Sequence, residues 1–261
     1  MTIFLCGEEV EEIWCGIYDA WMSRLGHEQV RLEPAGCNLD LFCEYRQVIT
    51  TPEKAAKVTD SIRTRLSESC YEQIYKAALS QDPFRGDKIY RFLILAFALG
   101  NGVQNRLQLP AVYEIFQMNR NLTREYDHMR GFTRFFQMQE GILLGKIGPK
   151  NDIITLLAAH FADRMPQENW ILYDCGRKKA AVHQAGRGWV LVRADSALWE
   201  ERLSRETDEA VFETLWKTFH SSIAIAQRRN PRCQMNMLPL RFRPYMVEFE
   251  GTPENRAKIS E

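Results

Sequence analysis

The spacing of the apolar residues changes near residue 130, and this change limits the fold more than any other feature of the chain. Up to that point apolar side chains recur every three or four residues, which is the period of amphipathic helices. After Gly131 they come in short runs of the β-strand type, separated by turn residues. We therefore expect an α+β protein with a mainly helical N-terminal domain at 1–130, an α+β domain at 131–250 and a flexible tail at 251–261.

The expected first domain begins with a short strand at 2–6 and a helix at 8–23. Residues 26–46 contain two glycines and a proline and are expected to form a loop, and a second strand is expected at 46–50. Thr51 followed by Pro52 is typical of a helix start. Further helices are expected up to the boundary, so that helix dominates this half.

The expected second domain is an antiparallel sheet crossed by one helix. A hairpin is expected over 132–147, a helix from Asp152 to about Arg164, and three more strands at 170–174, 179–183 and 188–193. A long C-terminal helix is expected at 206–228, because apolar residues keep one face over its whole length.

The amino-acid composition excludes disordered, collagen-like and fibrous proteins. Apolar residues make up 45% and charged residues 26% of the chain, which is typical of globular proteins. Because no apolar stretch is long enough to span a bilayer and the N-terminus has no basic segment, we expect a cytoplasmic protein without membrane contact. The seven cysteines include no Cys-x-x-Cys pair, so the sequence predicts neither a disulfide framework nor a metal site, and no cofactor.

A net charge of zero conceals an uneven distribution along the chain. Residues 1–60 contain eleven acidic and five basic residues, whereas 175–194 contain five basic and no acidic residues. The segment 214–247 contains six basic residues, again without an acid. Such segments attract polyanions, above all nucleic acid. The alternative is a solvated surface that the acidic N-terminal part neutralises.

The strongest candidate for a nucleic-acid contact is the segment around residue 230. It interleaves basic groups and amides with Phe242 and Tyr245, a mixture that suits binding to phosphates and bases. The candidate binding residues are Lys217, Arg228, Arg229, Asn230, Arg232, Gln234 and Arg241. The alternative is a C-terminal segment whose arginine stems pack on the domain.

A second group of residues could carry out chemistry. His160, Asp163 and Arg164 share one side of the predicted helix, so a proton-transfer site is geometrically feasible, although a histidine at the edge of the core explains the same spacing. Near them in sequence follow the candidate pocket residues Trp170, Asp174 and Arg177. A buried ion pair between Asp174 and Arg177 is the alternative there.

Several of these stretches resemble a bacterial family of proteins assigned to DNA metabolism or DNA repair. The resemblance rests on His160-Phe-Ala-Asp-Arg, Glu168-Asn-Trp-Ile-Leu-Tyr-Asp174 with Arg177 and Ala180, Leu215-Trp-Lys-Thr-Phe219, Ile223-Ala-Ile and Arg228-Arg-Asn230, with Pro52-Glu-Lys-Ala-Ala near the start. In that family the C-terminal domain has no known function, recurs fused to uracil-DNA-glycosylase-like domains, and is typically encoded beside a radical-SAM DNA-modification protein. This chain departs from the pattern at Leu238-Pro-Leu-Arg-Phe-Arg, where Met-Pro-x-Arg-Tyr-Trp is expected.

The resemblance implies a DNA-binding accessory protein of DNA repair that presents its substrate to a radical-SAM partner. Two alternatives remain open. One is an enzyme that acts on a flipped base or a strand end, with His160 in its site. The other is an interaction scaffold whose acidic N-terminal region binds a basic partner.

Overall fold

The computed structural model describes residues 1–37, 40–100, 102–138, 141–194, 218 and 230–249. The chain divides into two compact units, Met1–Arg124 and Glu125–Glu261. The expected boundary at residue 130 lies within the same long helix as this division. No helix among the described residues is both long and apolar enough to cross a membrane.

The first unit combines helices with a small sheet. Its elements are β1 (Thr2–Cys6), α1 (Val10–Met22), β2 (Val30–Pro34), β3 (Glu44–Gln47), α2 (Pro52–Arg65), α3 (Glu68–Ala78), α4 (Arg85–Leu99) and the first part of α5 (Pro110–Phe132). Thr51 and Ser67 cap α2 and α3, each accepting a hydrogen bond from a backbone N–H three residues later. The helices and the sheet share one apolar core.

The sheet of the first unit has the strand order β2-β1-β3, and both pairs are parallel. Strand β2 lies within the segment that was expected to be a loop, so that expectation was wrong. Only Val30 and Leu32 alternate as buried apolar residues there, and this signal is too short to outweigh the neighbouring turn residues. The first unit is therefore helical with a three-stranded parallel sheet.

The second unit is built on a five-stranded sheet. Its elements are the end of α5, β4 (Phe135–Gln137), β5 (Leu143–Ile147), α6 (Ile154–Arg164), β6 (Trp170–Asp174), β7 (Lys179–His183) and β8 (Trp189–Arg193). The strand order is β4-β5-β6-β7-β8, so neighbours in sequence are neighbours in space. Mixed helix and sheet across the described chain agree with the α+β class.

One pair of strands departs from the expected antiparallel sheet. Strands β5 and β6 are parallel, whereas the three other pairs are antiparallel. The cause is α6, because a helix that crosses over between neighbouring strands returns the chain to the end from which it started. The sheet is thus mixed, and the carboxyl ends of β5 and β6 lie side by side.

Helix α6 covers one face of this sheet and contacts β6, β7 and β8. On that face Trp170 stacks on His183, with their ring centroids 4.8 Å apart, and Phe135 packs edge-on against Phe161 at 4.9 Å. The opposite face forms a separate apolar cluster that includes Leu144 and Tyr173. The central strands β5, β6 and β7 therefore carry buried residues on both faces of the sheet, whereas β8 is largely exposed.

The last described segment contains the short helix α7 (Pro231–Met237) and two 3-10 turns, Leu240–Tyr245 and Val247–Phe249. Phe242 is buried, and its ring lies 5.5 Å from the rings of His128 and Phe132. Apart from residue 218, the helix expected at 206–228 lies outside the described residues, and so does the tail expected at 251–261.

Candidate nucleic-acid interface

One end of the five-stranded sheet collects basic residues from every strand. The register places the start of β4, the carboxyl ends of β5 and β6, the start of β7 and the carboxyl end of β8 at this end. The basic residues at or next to these strand ends are Arg134, Lys150, Arg177, Lys178, Lys179 and Arg193. We call the end of the sheet that carries these residues the basic end of the sheet.

Among the described residues, the acidic ones at the basic end lie deeper than the basic ones. Asp174 is fully buried, and Asp152 is partly buried and paired with Lys179 at 2.8 Å. Lys150, Lys178 and Arg193, in contrast, are exposed. Among the described residues of this end, the negative charge is therefore beneath the surface and the positive charge reaches solvent, which favours contact with an anion.

The loop that carries Lys150, residues 148–152, is held in one conformation by a buried carboxylate. Glu125, on α5, is only 2% exposed. Its Oε1 accepts a hydrogen bond from the backbone N–H of Lys150 at 3.0 Å, and its Oε2 accepts from the backbone N–H of Asn151 at 2.8 Å and from Asn151 Nδ2 at 2.5 Å. A charged acceptor with several donors fixes the backbone of the loop.

Arg177 fixes the same loop from the other side. Its guanidinium donates to the carbonyl of Pro149 at 3.0 Å and to the carbonyl of Lys150. It also donates to Asp174 Oδ2 at 3.2 Å, while Asp174 Oδ1 accepts from the backbone N–H groups of Gly176 and Arg177. Burial raises the pKa of Asp174, and the positive charge of Arg177 opposes this shift.

Lys178 lies in the turn between β6 and β7 with a φ angle of +53°. A lysine is rarely found in this left-handed conformation, which glycine adopts at no steric cost. The turn is nevertheless well held, because the carbonyl of Lys178 accepts a hydrogen bond from the backbone N–H of Ala194 at 2.7 Å. Lys178 is thus an exposed residue in a turn that a backbone hydrogen bond holds.

Three arginines of the second unit rest on carboxylates that are almost inaccessible. Arg177 pairs with Asp174, Arg134 with Glu248 at 2.8 Å, and Arg241 with Glu125 at 3.1 Å. The exposed fractions of the three carboxylate side chains are 0%, 4% and 2%, and those of the arginines are 27%, 30% and 34%. Each guanidinium is therefore held from beneath, with part of its five-donor edge still open to solvent.

The described part of the segment around residue 230 has mixed roles. Asn230 caps α7, since its Oδ1 accepts from the backbone N–H of Cys233 at 3.0 Å, and Arg232 and Gln234 are exposed on that helix. Arg241 pairs with Glu125 at 3.1 Å, and its guanidinium carbon lies 4.5 Å from the ring centroid of Phe242. Tyr245 lies so close to Gly148 that a Cβ atom at Gly148 would be 2.1 Å from its hydroxyl. Lys217, Arg228 and Arg229 lie outside the described residues.

The three candidate catalytic residues lie together in the C-terminal half of α6. His160 is partly exposed, and Asp163 and Arg164 are exposed. Burial lowers the pKa of His160, and the positive charges of Arg130 and Arg164 lower it further, whereas Asp163 raises it. His160 therefore favours its neutral form.

The structure does not bring the three candidate pocket residues together. Trp170 and Asp174 occupy opposite ends of β6, and Trp170 is fully buried between Phe135 and His183. Asp174 and Arg177 form the ion pair that was considered as the alternative. Trp170 thus belongs to the core and Arg177 to the basic end of the sheet.

Sequence reasoning missed Lys150, Arg134 and the role of Glu125. Arg134 and Lys150 lie outside the two basic segments 175–194 and 214–247, and Glu125 stands among charges of both signs, so charge clustering gave no signal for them. The signal that was available is topological, because Gly148-Pro149 follows a buried strand and precedes the crossover helix. Loops at the carboxyl ends of parallel strands are where α/β sheets bind ligands.

Comparison with known proteins places the chain in a family without revealing an activity. No curated protein and no solved structure matches this chain. A family model does match, over residues 83–248, which include the whole described part of the second unit except its final residue. The chain belongs to the family described as a domain of unknown function, DUF4130.

Proposed function

We propose that this chain is a nucleic-acid-binding accessory protein of DNA metabolism, and that the basic end of the sheet contacts the phosphate backbone. The observation that supports this proposal is the convergence of basic residues from all five strands at one end of the sheet. The opposite end, by comparison, has Arg164 and Arg187 together with the exposed Asp163 and Glu168.

Two properties make the basic end of the sheet better suited to binding phosphates than a surface whose charged side chains are mobile. The loop at 148–152 is fixed by Glu125 and Arg177, so Lys150 is presented from a rigid backbone. The guanidinium groups of Arg134 and Arg177 are positioned by buried carboxylates. A positioned donor loses little conformational entropy when it binds, which favours affinity.

The exposed helix α7 supplies groups that could add contacts beyond the phosphates. Arg232 and Gln234 lie on its surface, and the side-chain NH2 of Asn230 is not used by the cap, which employs only Oδ1. Amide groups can donate to and accept from bases or sugars. Phosphate contacts from the basic end and amide contacts from α7 together form the proposed interface, to which Lys217, Arg228 and Arg229 are added from the sequence.

Two charge-matched variants test the surface. Lys150→Ala combined with Arg193→Ala removes two exposed cations from the basic end, and Arg164→Ala combined with Arg187→Ala removes two exposed cations from the opposite end. Fluorescence anisotropy of labelled single- and double-stranded DNA, measured at several salt concentrations, gives both affinity and salt dependence. We expect only the first pair to weaken binding, and to lower the log–log salt slope by about 2.

Equal losses of affinity in the two double variants would show that binding depends on net charge and not on this surface. No binding by the unaltered protein at low salt would refute the proposed function itself. Far-ultraviolet circular dichroism of each variant separates loss of binding from loss of folding.

The partner that the resemblance implies is a radical-SAM enzyme, with this chain presenting DNA to it in the cytoplasm. The two proteins should then form a complex. Co-expression with a radical-SAM protein encoded beside this chain, followed by affinity purification of one component, tests this part of the proposal. Failure to co-purify at micromolar concentrations would contradict the partnership and leave DNA binding to be judged by the anisotropy experiment.

A further inference from the structure

The first unit contains a cleft that the proposed nucleic-acid interface does not use. It has a volume of about 570 Å³ and lies between α1, α2 and α4. Trp21 and Met22 at its edge are 36% and 54% exposed. A cleft of this size is within the range that holds a small organic ligand.

The walls of the cleft differ in chemistry. The walls from α1 and α4 present apolar and aromatic side chains, among them Trp21 and Phe97, whose ring centroids lie 5.4 Å apart at 76°. All the charged groups come from α2. A ligand that satisfies both kinds of wall must therefore be amphipathic.

The wall from α2 is positively charged. Lys57, Ser61 and Arg65 are four residues apart and thus lie in a row along one side of the helix. Lys57 Nζ lies 5.5 Å from the ring centroid of Tyr18, which also lines the cleft. Asp60 is the one acidic lining residue against these two cations, so the charge of a complementary ligand is negative.

We propose that this cleft binds a small aromatic anion, in which an apolar ring system lies against Trp21 and Phe97 and a single carboxylate or similar group contacts Arg65 and Lys57. The apolar walls favour a ring without hydrogen-bonding groups over a nucleobase, because a base buried there would leave polar atoms without partners. The proposal concerns the first unit alone and does not depend on nucleic-acid binding by the second.

The probe for this site is 2-naphthoate, with the neutral 2-naphthalenemethanol as its matched ligand, in isothermal titration calorimetry with the full chain. The size of the probe predicts one binding site with a Kd of about 1 mM or tighter. The neutral alcohol should bind at least about threefold more weakly, since it lacks the charge that meets Arg65 and Lys57.

Two substitutions on the same helix localise the effect. Arg65→Ala should weaken naphthoate binding about threefold to tenfold and reduce the preference over the alcohol, of which Lys57 retains a part. Arg63→Ala is the matched control, because Arg63 pairs with Glu68 and lies over the ring of Tyr71 instead of lining the cleft. Ser61→Phe, which fills the cleft, should abolish binding of both ligands.

Several results would overturn the proposal. These are no heat of binding at a few times the expected Kd, equal affinity for naphthoate and the alcohol, or equal effects of Arg63→Ala and Arg65→Ala. Tighter binding of adenosine monophosphate than of naphthoate would assign the cleft to a different class of ligand. A dimer in solution that Met22→Lys disperses, without naphthoate binding, would show that the cleft is an interface between two copies of the chain.

Discussion

Replacing Glu125 by glutamine should destabilise the second unit strongly, although the two side chains have nearly the same shape. The carboxylate accepts from the backbone N–H of Lys150 and from Arg241 on one oxygen, and from two donors of Asn151 on the other. Glutamine replaces one of these oxygens by an NH2 group, which is a donor. Because each oxygen of Glu125 accepts from two donors, two donors lose their acceptor in either orientation of the amide.

The magnitude follows from the contacts that are lost. A hydrogen bond to a charged group contributes about 1.5–3 kcal/mol, so the loss of two gives about 3–6 kcal/mol. The general cost of removing one partner from a buried ion pair, about 3–5 kcal/mol, gives a similar value. Because Arg241 is 34% exposed and can regain water, we expect a loss near the lower end, about 3–4 kcal/mol in the free energy of unfolding.

Urea unfolding followed by circular dichroism measures this loss, and amide hydrogen exchange at Lys150 and Asn151 reports on the loop itself. Glu114→Gln is the matched control, since Glu114 is exposed on the same helix. It should change the free energy of unfolding by no more than about 0.5 kcal/mol. If Glu125→Gln behaves like Glu114→Gln, or if the two amides keep their protection, Glu125 does not hold the loop.

Three further predictions use other parts of the molecule. Lys178→Gly should relieve the left-handed conformation and raise stability by up to about 1 kcal/mol, while weakening DNA binding in the anisotropy assay; a loss of stability would contradict this account. His160 should titrate below the ordinary histidine pKa of 6.5, and Arg130→Ala should raise its pKa toward that value in a proton NMR titration. Because the folded-state pKa is lowered, the stability that neutral His160 contributes is present above pH 6.5 and lost as the pH falls toward the folded-state pKa. Burial raises the pKa of Cys6 to about 11, so Cys6 should react with a thiol reagent at pH 8 far more slowly than exposed Cys233, as mass spectrometry of the modified peptides would reveal.

Local patterns in the sequence predict the elements of the second unit well. The runs 170–174 and 179–183 coincide with β6 and β7, because short continuous apolar runs there are bounded by clear turn signals. Strand β2 was missed because only Val30 and Leu32 give it a buried apolar pattern, and the turn residues on either side outweigh so short a signal. Strand β6 runs parallel to β5 because α6 crosses over between them. The spacing of apolar residues does not predict the direction of a strand.

The candidate site was less predictable than the fold, because its residues are joined by the sheet and not by the sequence. The basic cluster at 175–194 was visible as a run of charge, yet Arg187 lies at the opposite end of the sheet from Arg177 and Arg193. Lys150 joins the group only through the register of β5 with β6. Whether the candidate residues contact DNA stays a prediction for the anisotropy experiment.

The carboxylates beneath the arginines have a consequence for selectivity. An arginine already paired with Asp174 or Glu248 carries little uncompensated charge, so it releases few counterions when a phosphate approaches. The salt slope should therefore report fewer contacts than the number of cations at this end of the sheet. Arg134 and Arg177 instead contribute donor groups at a fixed spacing. Donors at a fixed spacing can distinguish one nucleic-acid backbone geometry from another, which a mobile charge cannot do.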